Sequence, residues 1–117
     1  MFRLLTLWLL CLSGLSWSGI ALSTATPEQI AVGKAIAWDR KGGNCLACHS
    51  MPEGDSPGNL GPPLIAMQAR FPDRQKLYDQ IDDATQLNPD SRMPPFGKHQ
   101  ILKKAEIHAV IDYLYTL

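Results

Sequence analysis

Cys45, Cys48 and His49 stand in the stretch GGNCLACHS, two thiols three positions apart with an imidazole directly after the second. The spacing Cys-x-x-Cys-His lets both thiols add to the two vinyl groups of a haem while the adjacent imidazole reaches the iron from one side. The motif therefore reads as covalent attachment of one c-type haem. Two other chemistries use similar residues. A zinc site needs further ligands at short spacing, and the remaining histidines, His99 and His108, are nine apart. A thioredoxin-like redox pair expects a strand before it and a βαβ pattern around it, and neither surrounds these cysteines.

The sixth position of such an iron must be filled from elsewhere in the chain, and the candidates are Met51, Met67, Met93, His99 and His108. Met51 is too close to His49 to reach the opposite face of a haem. Met67 follows a short apolar turn and reads as core filling. Met93 stands in RMPPFG, where Pro94 and Pro95 fix the backbone and Gly97 permits a tight turn, so the loop is stiffened beside a soft thioether. Met93 is the favoured ligand. His99, in the same loop, is the runner-up, and its other reading is a solvated histidine. His108 follows Ile107 on a helix and reads as a surface or internally satisfied residue.

Three helices must position these groups. In TPEQIAVGKAIAWDRKGG, Thr26 can cap, Pro27 suits the first helical position and Gln29 completes a capping box. Ile30, Gly33 and Ala37 form its inward stripe, with Lys34 snorkelling at the edge. A mid-helix glycine costs about 1 kcal/mol against alanine, so Gly33 is either close-packed by another backbone or ring or a merely tolerated glycine. In DRQKLYDQIDDATQL, Asp73 can cap after Pro72, and Leu77 and Ile81 make a narrow apolar face on an otherwise charged surface helix. ILKKAEIHAVIDYLYTL carries the strongest periodicity, with Ile107, Val110, Ile111 and Leu114 on one face. Between the helices run two long Pro- and Gly-rich stretches, SMPEGDSPGNLGPPLIAMQARFP and NPDSRMPPFGKHQ. Irregular segments of that length in a compact domain need a reason, and wrapping a cofactor is one.

The chain has 117 residues, which suits one small domain, with 11 basic and 11 acidic side chains. Its first stretch, MFRLLTLWLLCLSGLSWSGIALSTA, has an early Arg3, an apolar run and small residues around Ala21, Ser23 and Ala25, the pattern of a cleaved secretory signal peptide. Ser13, Gly14, Ser16, Ser18 and Gly19 dilute the run below what a membrane-spanning helix needs. Leu9 and Leu10 before Cys11 are not the small residues of a lipid-anchor site. The expected organisation is residues 1–25 as signal peptide and residues 26–117 as a monohaem domain in the periplasm, with no stable membrane anchor. Loss of residues 1–25 leaves 92 residues near neutrality, with no strong field for nucleic acid or a membrane surface. So small a core is marginal unless something else is buried in it.

The helix with a glycine, CLACH, GPPL, the loop methionine and the amphipathic C-terminal helix together resemble the class I cytochromes c over essentially the whole mature chain. The resemblance implies an all-α fold of three or more helices wrapped around one covalently bound haem c, with the first and third helices crossing at Gly33 near Tyr113. It also implies that the carbonyl of Pro62 accepts a hydrogen bond from the iron-binding imidazole of His49. More narrowly, GNCLACH, GNLGPPL, NPDSRMPPFG and the C-terminal helix, in that order, resemble the sulfur-oxidation cytochromes SoxX. Lys103 departs from that pattern, standing where the family often has a small capping residue, which weakens the helix start. This likeness implies the electron-transfer subunit of a periplasmic heterodimer with SoxA, an L-cysteine S-thiosulfotransferase that couples thiosulfate to a cysteine of the carrier protein SoxYZ. Bond making is then expected on the SoxA side, because Cys45 and Cys48 are consumed by haem, and electrons pass on to a downstream acceptor. The competing expectation is a freely diffusing electron carrier serving an oxidase or reductase, and a third is a zinc-stabilised binding module.

Overall fold

The computed structural model describes residues 24–117, so all but the last two residues of the expected signal peptide lie outside the described residues. The described residues are all-helical, with no strand among them: α1 (Pro27–Trp38), α2 (Met67–Arg70), α3 (Arg74–Asp82) and α4 (Lys104–Leu114), with one-turn 3-10 helices at Cys45–Ala47 and Ala84–Gln86. None of the described helices is long and apolar enough to cross a membrane.

Helix α1 begins as its sequence dictates. Thr26 accepts from the Gln29 backbone N–H while the Gln29 side chain accepts from the Thr26 N–H at 2.8 Å, closing the capping box ahead of Pro27. Gly33 and Ala37 are buried and Ile30 is half-buried, as the inward stripe requires. The glycine is needed because a Cβ there would stand 1.8 Å from the carbonyl oxygen of Ala109 in α4. The crossing thus centres on Ala109, one helical turn before the Tyr113 expected from the resemblance. Tyr113 is met instead by Trp38, whose indole N–H donates to the phenol oxygen at 3.0 Å. No helix pair in the described structure packs more extensively than α1 and α4. Lys34, at the edge, pairs with Glu53 at 2.7 Å.

Helix α4 buries Ile107, Val110, Ile111 and Leu114, the face its period marks. Lys103 occupies the cap position in extended conformation, and a lysine side chain has no acceptor for the first N–H groups. The start is held by Glu106, which accepts from the Lys103 N–H at 2.6 Å, half of a capping box.

Helix α3 is capped by Asp73, which accepts from the Gln75 N–H at 2.9 Å, and buries Leu77 and Ile81. It stops at Asp82, and ATQ continues as a 3-10 turn instead of the longer helix the periodicity suggests. The surface reading of this helix also fails at Asp83, a carboxylate with 4% of its surface exposed. Its Oδ2 accepts from Lys98 at 2.7 Å and Gln86 at 3.0 Å, and its Oδ1 from the Thr85 backbone and hydroxyl. Paired and fully hydrogen-bonded, the charge is tolerated inside.

Left-handed residues redirect the chain: Asn44 sits just before the Cys45–Ala47 turn, and Glu53, Ser56 and Ala66 lie within the long first stretch, Ala66 directly before α2. Helix α2 lies inside what reads as loop. It buries Met67, whose N–H donates to the carbonyl of Leu117, and Tyr115 donates to the carbonyl of Phe71 just past its end. Leu64, Met67 and Phe96, all from stretches without periodicity, therefore join the helices in one core.

Gly33→Ala forces the α1–α4 backbones apart and is expected to cost about 2 kcal/mol by overpacking, lowering the melting temperature by about 10 °C in thermal unfolding followed by circular dichroism. Val32→Ala, at an exposed position of the same helix, should stay within about 0.5 kcal/mol.

The Lys98, Thr85 and Gln86 donors hold the Asp83 carboxyl well below the usual carboxylate range. A depressed native value means that the stabilisation is present above the unfolded value of about 4 and is lost as pH falls through the native one. Asp83→Asn should therefore lose stability less steeply than the unaltered protein below about pH 4, as read from urea midpoints across pH.

Candidate haem-binding site

The 3-10 turn Cys45–Ala47 puts the attachment motif on one tight loop. Cys48 and His49 both donate their backbone N–H to the Cys45 carbonyl, at 3.2 and 2.9 Å. The second limb of the stretch is laced onto it: Gly58 N–H donates to Leu46, Gly61 to Cys48 and Leu64 to Ser50, each at 2.9 Å. Two glycines make this approach possible. A Cβ on Gly58 would lie 1.8 Å from the Ala47 carbonyl oxygen, and one on Gly61 would lie 2.2 Å from Cε1 of the His49 ring.

His49 is oriented by this lacing. Its Nδ1 lies 2.7 Å from the carbonyl oxygen of Pro62. A carbonyl only accepts, so Nδ1 carries the proton and donates it, leaving Nε2 as the nitrogen with a lone pair for a metal. The bond expected between His49 and Pro62 is present in the described geometry. Arg70 of α2 holds the next residues, donating to the carbonyls of Pro63 at 2.7 Å and Ile65 at 3.3 Å.

Cys45, Cys48, His49 and Pro62 line one cleft of about 610 Å³, and Met93 from the second long loop lines it with them. Below it is a smaller cavity of about 240 Å³, with a largely apolar wall that includes Leu64, Met67, Phe71 and Val110, and it shares Cys45, His49 and Met93 with the cleft. The remaining candidates are placed elsewhere. Met51 is buried in the core, and Met67 faces the smaller cavity as core filling. His99 is exposed and lines neither space. His108 stacks near Tyr78 with ring centroids 5.0 Å apart, and burial, then Arg74 and Lys104, push its pKa below the usual imidazole value.

The donor set fits a haem. Both thiols are free, and burial pushes the Cys45 thiol up to about 11. Among the described residues, no three His, Cys, Asp or Glu side chains are placed to hold a bare metal ion, which removes the ligand set that a zinc module needs. Arg40 and Arg92 also line the cleft and can pair with carboxylates such as haem propionates. Two residues on this wall are not singled out by motif. Gln80 lines both spaces and donates from Nε2 toward the Met93 sulfur at 3.8 Å, and Phe96 closes the floor. Gln80 flanks the Leu77–Ile81 stripe of α3, the one sequence signal that points to it.

The described residues, all-helical around such a cleft, form a c-type cytochrome domain with the class I fold. Residues 28–114 match the family model described as "Cytochrome C oxidase, cbb3-type, subunit III", and the chain belongs to this family. It is an electron-transfer haem protein, and the cytochrome c domain implies haem c with its iron. Among curated proteins the chain is similar to an "Uncharacterized lipoprotein" of Aquifex aeolicus (strain VF5), 36% identical over 76 residues. The matched region is 64% of this chain and 37% of that relative, so the chain spans little more than a third of its length.

Replacing Cys45 and Cys48 together by Ser is expected to abolish haem staining on a denaturing gel and to leave the domain largely unfolded, because a ligand that binds only the native state stabilises it. Circular dichroism of the variant checks the second outcome.

Proposed function

We propose that this chain is a monohaem electron acceptor, with haem attached through Cys45 and Cys48 and iron held by His49 and Met93, acting as the SoxX-like subunit of a periplasmic SoxAX complex. The observation that carries the reading is the meeting of two free thiols, an imidazole oriented by Pro62 and a loop thioether on one cleft. His49 and Met93 would hold the iron between them, so the chain would bind no substrate at the metal, which suits outer-sphere electron transfer. When bound, the haem supplies a reversible one-electron couple whose potential methionine ligation raises.

The residues of the chain do the rest. The Pro62 carbonyl fixes the tautomer and angle of His49, and the Gly61 backbone lies against the ring where any side chain would displace it. The apolar wall of the smaller cavity keeps water from the buried side of the site. Leu60 and Ile101 line the cleft and yet are 69% and 43% exposed, an apolar rim suited to a lasting partner contact.

In the sulfur-oxidation reading, a carrier-protein thiol joins the sulfane sulfur of thiosulfate. One S–S bond forms, one proton leaves the thiol and two electrons are released. With Cys45 and Cys48 bonded to haem, this chain offers the step no thiol among its described residues. Bond making thus falls to the SoxA-like subunit, and this chain removes electrons one at a time toward a downstream acceptor. The support is the order of GNCLACH, GNLGPPL and NPDSRMPPFG, which the fold gathers around one cleft. A freely diffusing carrier to an oxidase or reductase is the second reading, and the oxidase in the family description supports that class of acceptor.

Isolation of the tagged protein from its native periplasm, with a test for thiosulfate-dependent haem reduction in the presence of the sulfur-carrier protein, separates the two. A stoichiometric SoxA-like subunit with such reduction supports the first reading; a lone haem protein oxidised by an oxidase supports the second. Met93→Ala should keep the haem attached and lose the weak methionine-to-ferric-iron absorption near the red end of the spectrum. Persistence of that band contradicts the ligand assignment.

A further inference from the structure

Asp83 is the buried charged side chain of the described core, and neither attachment nor ligation uses it. A carboxylate is kept inside at a cost, so its partners indicate what it holds. Thr85 and Gln86 are local, two and three residues on. Lys98 is not: it lies fifteen residues away, in the loop that carries Met93, and reaches Oδ2 at 2.7 Å.

The same loop is laid on the C-terminal end of α3 by its backbone. Phe96 N–H donates to the Ile81 carbonyl, and Gly97 and Lys98 N–H both donate to the Asp82 carbonyl, each at 3.2 Å. The fit is close, since a Cβ on Gly97 would lie 1.8 Å from a carboxylate oxygen of Asp82. Met93 is three residues before Phe96, and the intervening Pro94 and Pro95 transmit placement because their φ angles are fixed. The other foot of the loop is held by local backbone N–H bonds: Asn88 to the Ala84 carbonyl at 3.0 Å, Asp90 to Asn88 Oδ1 at 3.1 Å, Ser91 to the Asn88 carbonyl at 2.9 Å and Met93 to the Ser91 hydroxyl at 3.3 Å. The geometry makes the Asp83–Lys98 pair the one charged fastening between α3's end and the methionine loop.

We propose that Asp83 is a positioning residue for the axial methionine: through Lys98 it pins the foot of the loop to α3 and so holds the Met93 thioether in the haem cleft against loop opening. This rests on the reading of Met93 as sixth ligand. Loop opening exposes the iron to an added ligand, and the apparent affinity of that ligand rises with the open fraction. A core substitution remote from the loop lowers global stability without favouring this local opening.

The test is a titration of ferric holoprotein with imidazole, followed by loss of the methionine-to-iron band under conditions where every variant is folded. Asp83→Asn should bind imidazole about tenfold more tightly than the unaltered protein. Lys98→Gln, which leaves Asp83 its Thr85 and Gln86 partners and so guards against failure of the first variant to fold, should shift the same way. Ile111→Val, a fully buried site that lines neither cavity, should stay within about twofold while lowering the melting temperature. Unshifted affinity in the Asp83 and Lys98 variants overturns the proposal, as does an equal shift in Ile111→Val. A holoprotein with no methionine band before any substitution overturns the ligand reading and this proposal together, whereas a normal band with unshifted affinity overturns this proposal alone.

Discussion

One hydrogen bond, from His49 Nδ1 to the carbonyl of Pro62 at 2.7 Å, is the constraint around which the first half of the chain is arranged. An imidazole that serves a metal must present one nitrogen, at a fixed angle, in one tautomer, and a neighbouring acceptor on the other nitrogen achieves all three. To bring that carbonyl there, residues 58–64 must run against residues 46–50, close enough that Gly58 and Gly61 admit no side chain. Arg70 then ties Pro63 and Ile65 to α2, and α2 is tied through Met67 and Phe71 to the end of α4. A turn at the haem motif is thus braced by the C-terminal helix.

The second half of the chain answers a different need. A thioether is a weak, neutral ligand, and it stays in place only if its loop does. Prolines 94 and 95 remove backbone freedom, and residues 96–98 are fastened to α3 by three backbone bonds and an ion pair. The loops that carry His49 and Met93 share no helix, yet they meet because α1 and α4 cross tightly at Gly33 and Ala109 and α3 packs on α4.

Local rules made much of this legible in sequence. Cys-x-x-Cys-His states its chemistry in five residues, and the caps at Thr26 and Asp73 and the apolar face of α4 follow from short-range physics. What escaped the reading depends on distant partners. Helix α2 has four residues and no periodicity to show. Asp83 looks like one more charge on a surface helix until Lys98, from another loop, is brought to it. The crossing point at Ala109, in place of Tyr113, depends on the relative slide of two helices, which no period records. Lys103 shows the reverse: the missing side-chain cap is made good from the third position by Glu106.

Electron transfer by this chain depends on which side chains would hold the iron. The direct measurement is proton–carbon NMR of the reduced holoprotein with 13C-labelled methionine methyl groups, because a methyl seated over the haem is shifted far upfield by the ring current. The account predicts one such methyl, assigned to Met93, with those of Met51 and Met67 at ordinary positions. An upfield methyl assigned to Met67, or no shifted methyl in a folded haem protein, contradicts it.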